Sequence, residues 1–384
     1  MRIIIKGARI MQKFMTKLGV ALAGALFMGS ASAVTFTDVA GREVTIPDDK
    51  KIENILLGEG RFLHAVALLE GDKPFARIAG WQGDFKKLDP QSYEVYKAKF
   101  PEIDTIPLIG NSTPESVSSE KALTINPDVV IFGVSGHGPD IESGLVKYFE
   151  KMGVPVVFID FRSHPLENTV PSIRALGKAI QREAEAEKYI EFYESELKKV
   201  TDITSKIPED QKTSVFIELK AGTSDDCCST AGNGNMGDFV DLAGGNNISK
   251  PLLPAALGKI NLEKLIVADP DVYIASGSIL PNKGLSGVPF GMTTTKDEAR
   301  SGLESVLNRN GISTLSAIKN KRVYGLWHTY YNSPYNIIAI QNMAKWFYPD
   351  EFKDLDPNET QQRLYDQFLP VDLEGTFWIE LESK

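Results

Sequence analysis

Only two thiols occur in the 384 residues, and they are neighbours: Cys227 and Cys228, within "TSDDCCSTAGNGNMGDF" (Thr223–Phe239). Adjacent thiols can bridge, hold a soft metal or act as nucleophiles. Successive Cα atoms lie ~3.8 Å apart across a trans peptide, against ~4.4–6.8 Å for most bridged cysteines. A Cys227–Cys228 disulfide would therefore close one tight turn and staple nothing distant. That vicinal bridge is the expected state in an oxidising compartment, with two free thiols or an intermolecular link as alternatives. Zinc-type pairing leaves two or more residues between thiols, so no metal is assigned there. Enzyme signatures are missing: no G-x-x-x-x-G-K-[ST], G-x-S-x-G, H-E-x-x-H or C-x-x-C occurs. "GNGNMG" (Gly232–Gly237) lacks a matched acidic residue about 20 positions on, and reads as a loop lining a site rather than a dinucleotide fingerprint. No catalytic residue is assigned.

Binding-type residues gather instead after β-rich runs. Glu59 and Arg61 follow "NILLG", Trp81 and Gln82 lie in "AGWQGDF", and Asn111 sits in "LIGNSTPES". His137 lies in "FGVSGHG", Arg162 in "IDFRSH", and Asn235 in the loop that begins with the cysteines. Trp327, His328, Tyr330 and Tyr331 crowd "LWHTYYNSPYN". Ligands of open α/β sheets bind at the carboxyl ends of strands, which is where these loops fall. Arginine forks suit anions, and tryptophan and tyrosine supply flat apolar walls. An opening flanked by Arg61, Trp81 and Trp327 is expected.

The elements that must carry these loops follow from periodicity. "SSEKALTINPDVVIFG" (Ser118–Gly133) returns as "NLEKLIVADPDVYIAS" (Asn261–Ser276), with Glu120/Glu263, Lys121/Lys264, Pro127/Pro270 and Asp128/Asp271 matched. Each copy reads as a short helix, a Pro-Asp break and a buried strand. Two such units imply two similar α/β lobes with mostly parallel sheets. Between them, 182–207 holds neither Gly nor Pro, and Ala186, Tyr189, Ile190, Tyr193, Leu197, Val200 and Ile203 recur at three- and four-residue steps. That spacing predicts one long helix joining an N-terminal lobe, 34–181, to a C-terminal lobe, 208–384.

The N-terminus sets the compartment. Residues 1–33 carry five basic residues and no acidic one, an apolar run from Leu18 to Gly29, and Ala31-Ser32-Ala33. This describes a signal peptide cleaved after Ala33, beginning at Met1 or at Met11, and the run is shorter than the ~20 residues of a membrane span. No cysteine stands at the cleavage point, so no lipid or membrane anchor is expected. Losing those five charges carries the formal net charge from −9 to −14, which argues against nucleic acid and anionic membrane surfaces.

Together these blocks resemble the periplasmic substrate-binding proteins of ABC importers for ferric siderophores, heme and cobalamin. "FTDVAGREVTIPDDKKIENILLGEG" (Phe36–Gly60), the two P-D-V-x-I blocks, "FVDLAGGNNIS" (Phe239–Ser249) and "AIKNKRVYGLWH" (Ala317–His328) carry the likeness over the whole mature chain. The resemblance implies two lobes bridged by one helix, a ligand in the cleft between them, and a monomer without catalysis or cofactor. It implies a periplasmic receptor whose ligand is an Fe(III) chelate of the siderophore type, with heme, cobalamin or a bare metal ion as alternatives. An exported α/β hydrolase is the rival from another class. Glu120 and Glu263 match the family's two exposed glutamates, which implies docking on an inner-membrane permease dimer with its ATPase. His137 and His328, with Tyr330 or Tyr331, could meet across the cleft at iron, although loop histidines satisfied by their neighbours are expected.

Overall fold

Runs rich in Val, Ile and Phe become buried strands, and the two copies of the repeated block take up equivalent places in two sheets. The computed structural model describes residues 33–381 except 48, 225, 226 and 280–286; the expected leader lies outside them, apart from Ala33. Strands β1 (Ala33–Thr37) and β2 (Glu43–Pro47) form an antiparallel hairpin. The first lobe holds β3 (Ile55–Leu57), β4 (Ile78–Gln82), β5 (Leu108–Gly110), β6 (Val129–Gly133) and β7 (Val156–Ile159), ordered β5-β4-β3-β6-β7 and all parallel. β3, β6 and β7 are buried throughout, as expected for strands covered by helices on both faces.

The second lobe holds β8 (Ser214–Glu218), β9 (Ser229–Ala231), β10 (Asn246–Asn247), β11 (Leu257–Lys259), β12 (Val272–Gly277), β13 (Val323–Trp327) and β14 (Trp378–Glu380). Its order is β11-β9-β8-β12-β13-β14, with β10 also on β8. The centre, β10-β8-β12-β13, is parallel and repeats β4-β3-β6-β7, whereas β9, β11 and β14 add antiparallel edges.

The repeated Pro-Asp has a structural cause. Asp128 accepts the backbone N–H of Glu53 and Asn54, both at 2.9 Å, and so pins the approach to β3. Asp271 accepts from the backbone N–H and hydroxyl of Ser214, at 3.1 and 2.6 Å, and pins the start of β8. In each lobe this aspartate locks the strand it precedes to the neighbour at the sheet's centre. Ser118 and Asn261 cap the short helices Ser119–Thr124 and Leu262–Ala268 that carry Glu120 and Glu263.

The long helix runs Glu183–Thr204, 22 residues or ~33 Å. Its Ala186, Tyr189, Ile190, Tyr193 and Val200 are buried, as their spacing requires, and Leu197 and Ile203 are partly covered. It packs against the helices Pro165–Ala179 and Asn336–Phe347. Tyr193 donates to Asn336 Oδ1 at 2.8 Å, and Asn336 donates on to Thr169 Oγ1 at 2.8 Å, so one amide links helices of both lobes. One continuous hydrophobic core therefore runs through both lobes, and the helix is a wall of that core rather than a free-standing rod. Among the described residues no helix is long and apolar enough to cross a membrane.

Candidate functional site

A cavity of about 300 Å³ opens between the lobes. The first lobe contributes Arg162, from the loop after β7. The second contributes Glu218 to Lys220 and Gly222 to Ser224 in and after β8, Ser229 and Thr230 of β9, Asn235, Leu257 and Gly258 of β11, and His328 and Tyr331 after β13.

The presentation of Arg162 follows from its neighbour in "IDFRSH". The Asp160 carboxylate accepts the backbone N–H of Arg162, Ser163 and His164 at 2.9, 2.7 and 3.0 Å, folding the chain so that residue 162 projects toward the other lobe. Asn235 clasps the same loop from the second lobe: its side-chain amide donates to Arg162 O at 2.8 Å and its backbone N–H to Ser163 O at 3.0 Å. Gly234, at φ +122°, lets the backbones approach, since a Cβ there would lie 2.5 Å from Ser163 O.

Charge in the cavity is uneven. Glu218 is matched from behind by Arg309, bidentate at 2.9 and 2.6 Å, and by the Tyr273 hydroxyl. Arg162 Nη1 is buried and has no hydrogen-bond partner among the described residues. A donor left so costs about 1–3 kcal/mol, more when charged, unless something arrives to accept from it. Lys220 lines the same cavity from the second lobe. Burial, helped by Lys220, Arg61 and Arg162, holds His328 well below the ordinary histidine value, so its ring is neutral at pH 7. Its Nδ1 lies 2.9 Å from Ser276 Oγ.

The expected residues divide into separate places. Arg162, Asn235, His328 and Tyr331 share the cavity. Arg61 is only 2% exposed and reaches it solely through Tyr331, donating from Nη1 to the phenolic oxygen at 2.8 Å. Its Nε and Nη2 face Asp84 and Glu59, at 3.0 and 3.3 Å. Glu59 also accepts the backbone N–H of His137 at 3.0 Å, and His137 Nδ1 lies 2.6 Å from Ser112 O; burial, with Arg61 beside it, holds the His137 pKa below the ordinary histidine value. Trp81, Gln82 and Asn111 border a different cavity of about 400 Å³ within the first lobe, where Trp81 packs against Phe75 and Phe85. Trp327, 1% exposed, packs edge-on against His64, Tyr330 and Phe377, and Tyr330 is core. The expected opening flanked by Arg61, Trp81 and Trp327 is therefore corrected: these side chains are buried, and the cleft is lined by hydroxyl groups, by Arg162, Lys220 and Glu218, and by Leu219 and Leu257. Cys227 and Cys228 are joined as a disulfide; Cys228 is fully buried, and it is the next residue, Ser229, that reaches the cavity.

Sequence reasoning missed Lys220, Thr223 and Ser224. They follow β8 directly, so the strand-end rule that pointed to the other loops applied to "ELKAGTS" as well.

Two sheets facing one cavity, with one long helix packed along both lobes, define a two-lobed solute-binding protein. The family profile described as Periplasmic binding protein matches residues 84–329, and the chain belongs to that family. Its members are substrate-binding proteins of ABC transporters rather than enzymes, which implies a membrane permease and an ATPase as partners. The TroA-like periplasmic binding protein FepB from Veillonella parvula is 29% identical, covers 91% of this chain and 100% of its own, and superposes with a TM-score of 0.81. MolA from Haemophilus influenzae, solved with molybdate, is 18% identical over 89% of this chain and 99% of its own, with a TM-score of 0.66, a likeness of fold. An uncharacterized ABC transporter substrate-binding lipoprotein of Bacillus subtilis, YvrC, is 22% identical over 84% of this chain and 87% of its own.

Proposed function

We propose that this chain is the exported, periplasmic receptor of an ABC importer for an Fe(III) chelate of the siderophore type, gripping the anionic oxygens of that chelate between its lobes. The observation that carries this reading is the guanidinium of Arg162 at the cavity, whose buried Nη1 has no hydrogen-bond partner among the described residues. A cavity of about 300 Å³ holds about ten water-sized groups, which suits the charged edge of a chelate. Heme and cobalamin fit less well, because Trp81, Trp327 and Tyr330, the aromatic side chains that would sandwich a macrocycle, are spent in the core. Glu120 and Glu263 are exposed in the first turns of equivalent helices, and among the described residues neither carries an ion pair. They are the docking points on the permease.

Native mass spectrometry of the protein taken from iron-starved cells tests the reading. A co-purified mass with the iron isotope pattern is expected, lost in Arg162→Ala. A bound species that is cationic or iron-free, or equal retention by Arg162→Ala, would refute it.

A further inference from the structure

Arg61 is bound too completely to be a ligand contact. Its three donor directions are taken by Asp84, Glu59 and Tyr331, and an anion placed beside it would face two buried carboxylates. What Arg61 does instead is fix one hydroxyl on the opposite lobe. A phenol has one proton to donate and two lone pairs to accept with. The Tyr331 oxygen accepts from Arg61, and among the described residues the hydroxyl has no other hydrogen-bond partner. Tyr331 also lines the cavity alongside Arg162, whose guanidinium carbon lies 5.5 Å from the tyrosine ring centroid; that of Arg61 lies 5.7 Å away.

We infer that Tyr331 is the ligand-orienting hydroxyl of the cleft and that Arg61 is its positioning residue, aiming the phenolic proton at the anionic oxygen that Arg162 pairs with. This rests on the anionic-chelate reading above and adds to it the group that sets the ligand's orientation. Two guanidiniums make the phenol a stronger donor, and a donor to an ionised acceptor forms a bond roughly twice as strong as a neutral one. A ligand offering no acceptor at that point leaves a buried O–H unpaired, which is how polar sites reject near-analogues. Because Arg61 and Tyr331 belong to different lobes, the donor is aimed only while the lobes stand together.

The charged and titratable groups facing Tyr331 are Arg61 and Arg162 from the first lobe, and Lys220 and His328 from the second. Burial disfavours the phenolate, yet Arg61, Arg162 and Lys220 hold Tyr331 below the ordinary tyrosine value. The test begins with ultraviolet pH titration of tyrosine ionisation, parent minus Tyr331→Phe, which isolates residue 331. A midpoint below the usual ~10 is expected, rising at least tenfold in acid strength lost in Arg61→Met and largely restored in Arg61→Lys. The same proteins are then titrated with ferric citrate by tryptophan fluorescence. Tyr331→Phe and Arg61→Met should bind it about tenfold more weakly, the scale of one hydrogen bond to a charged group, with Arg61→Lys between them and the parent. An unmoved midpoint in Arg61→Met overturns the positioning role, and parent-like ferric citrate binding by Tyr331→Phe overturns the orienting role. A parent that ignores ferric citrate counts against the anionic-chelate reading, and the proton titration then still decides the pairing of Arg61 with Tyr331.

Discussion

Replacing Arg61 by Met removes the guanidinium from between two buried carboxylates and keeps most of the side chain's volume. Glu59 and Asp84 are 1% and 0% exposed, so neither gains water when its partner goes. Breaking a buried ion pair from one side costs about 3–5 kcal/mol. With an unfolding entropy near 2.1 cal/mol/K per residue over roughly 350 residues, that corresponds to a Tm lower by about 4–7 °C. The loss also depends on pH. Burial already pushes Asp84 up to about 6, against the pull of Arg61 and with Glu59 pushing the same way. Without Arg61 it rises further, while the unfolded value stays near 3.9. The folded chain then binds that proton more tightly than the unfolded chain does, so stability falls as pH climbs from about 4 through 6 and beyond. Calorimetric melts at pH 5 and pH 7.5 should show the larger deficit at pH 7.5. A Tm within about 1 °C of the parent, or an equal deficit at both pH values, would refute the account of Arg61 as the cation held between two buried carboxylates.

Three further outcomes are expected. Glu120→Ala combined with Glu263→Ala should leave ferric citrate binding intact and abolish uptake in a transport assay; weakened binding would place these carboxylates in the site. Glu196→Ala should cost about 1–3 kcal/mol in urea unfolding, because this 1%-exposed carboxylate on the long helix accepts from the buried Gln341 amide and Thr360 hydroxyl as well as from Lys199 and Arg363, and a loss under about 0.5 kcal/mol would deny it a structural role. Cys227→Ser with Cys228→Ser should weaken ferric citrate binding several-fold by loosening the strand that brings Ser229 and Thr230 to the cavity, and parent-like binding would show that the bridge gives the rim nothing.

The architecture was legible because burial leaves a periodic trace. The repeated P-D-V-x-I block located the strands β6 and β12, and the three- and four-residue steps from Ala186 to Val200 located the long helix within a few residues of its ends. The site was legible only in part. An aromatic residue at the end of a strand can turn into the core or out of it, and the sequence does not record which; Trp81 and Trp327 turn in. The same ambiguity hid Glu196, whose type predicts exposure and whose partners on Asn336–Phe347 and Pro357–Phe368 lie more than 140 residues away. Lys220, Thr223 and Ser224 carry no periodicity, and their loop is set by Ser276 of the same lobe, which accepts the backbone N–H of Lys220 and Ala221.

Asp128 and Asp271 give the molecule a calliper. Each riveted aspartate fixes the chain just after the helix carrying Glu120 or Glu263 to the middle strand of its own lobe, so those carboxylates stand close to a fixed point of their sheets. Any rocking of one half against the other reappears on the outer face as a changed span between two negative points. If the permease docks on both carboxylates as proposed, that span would tell it whether the lobes have closed without contact with the ligand.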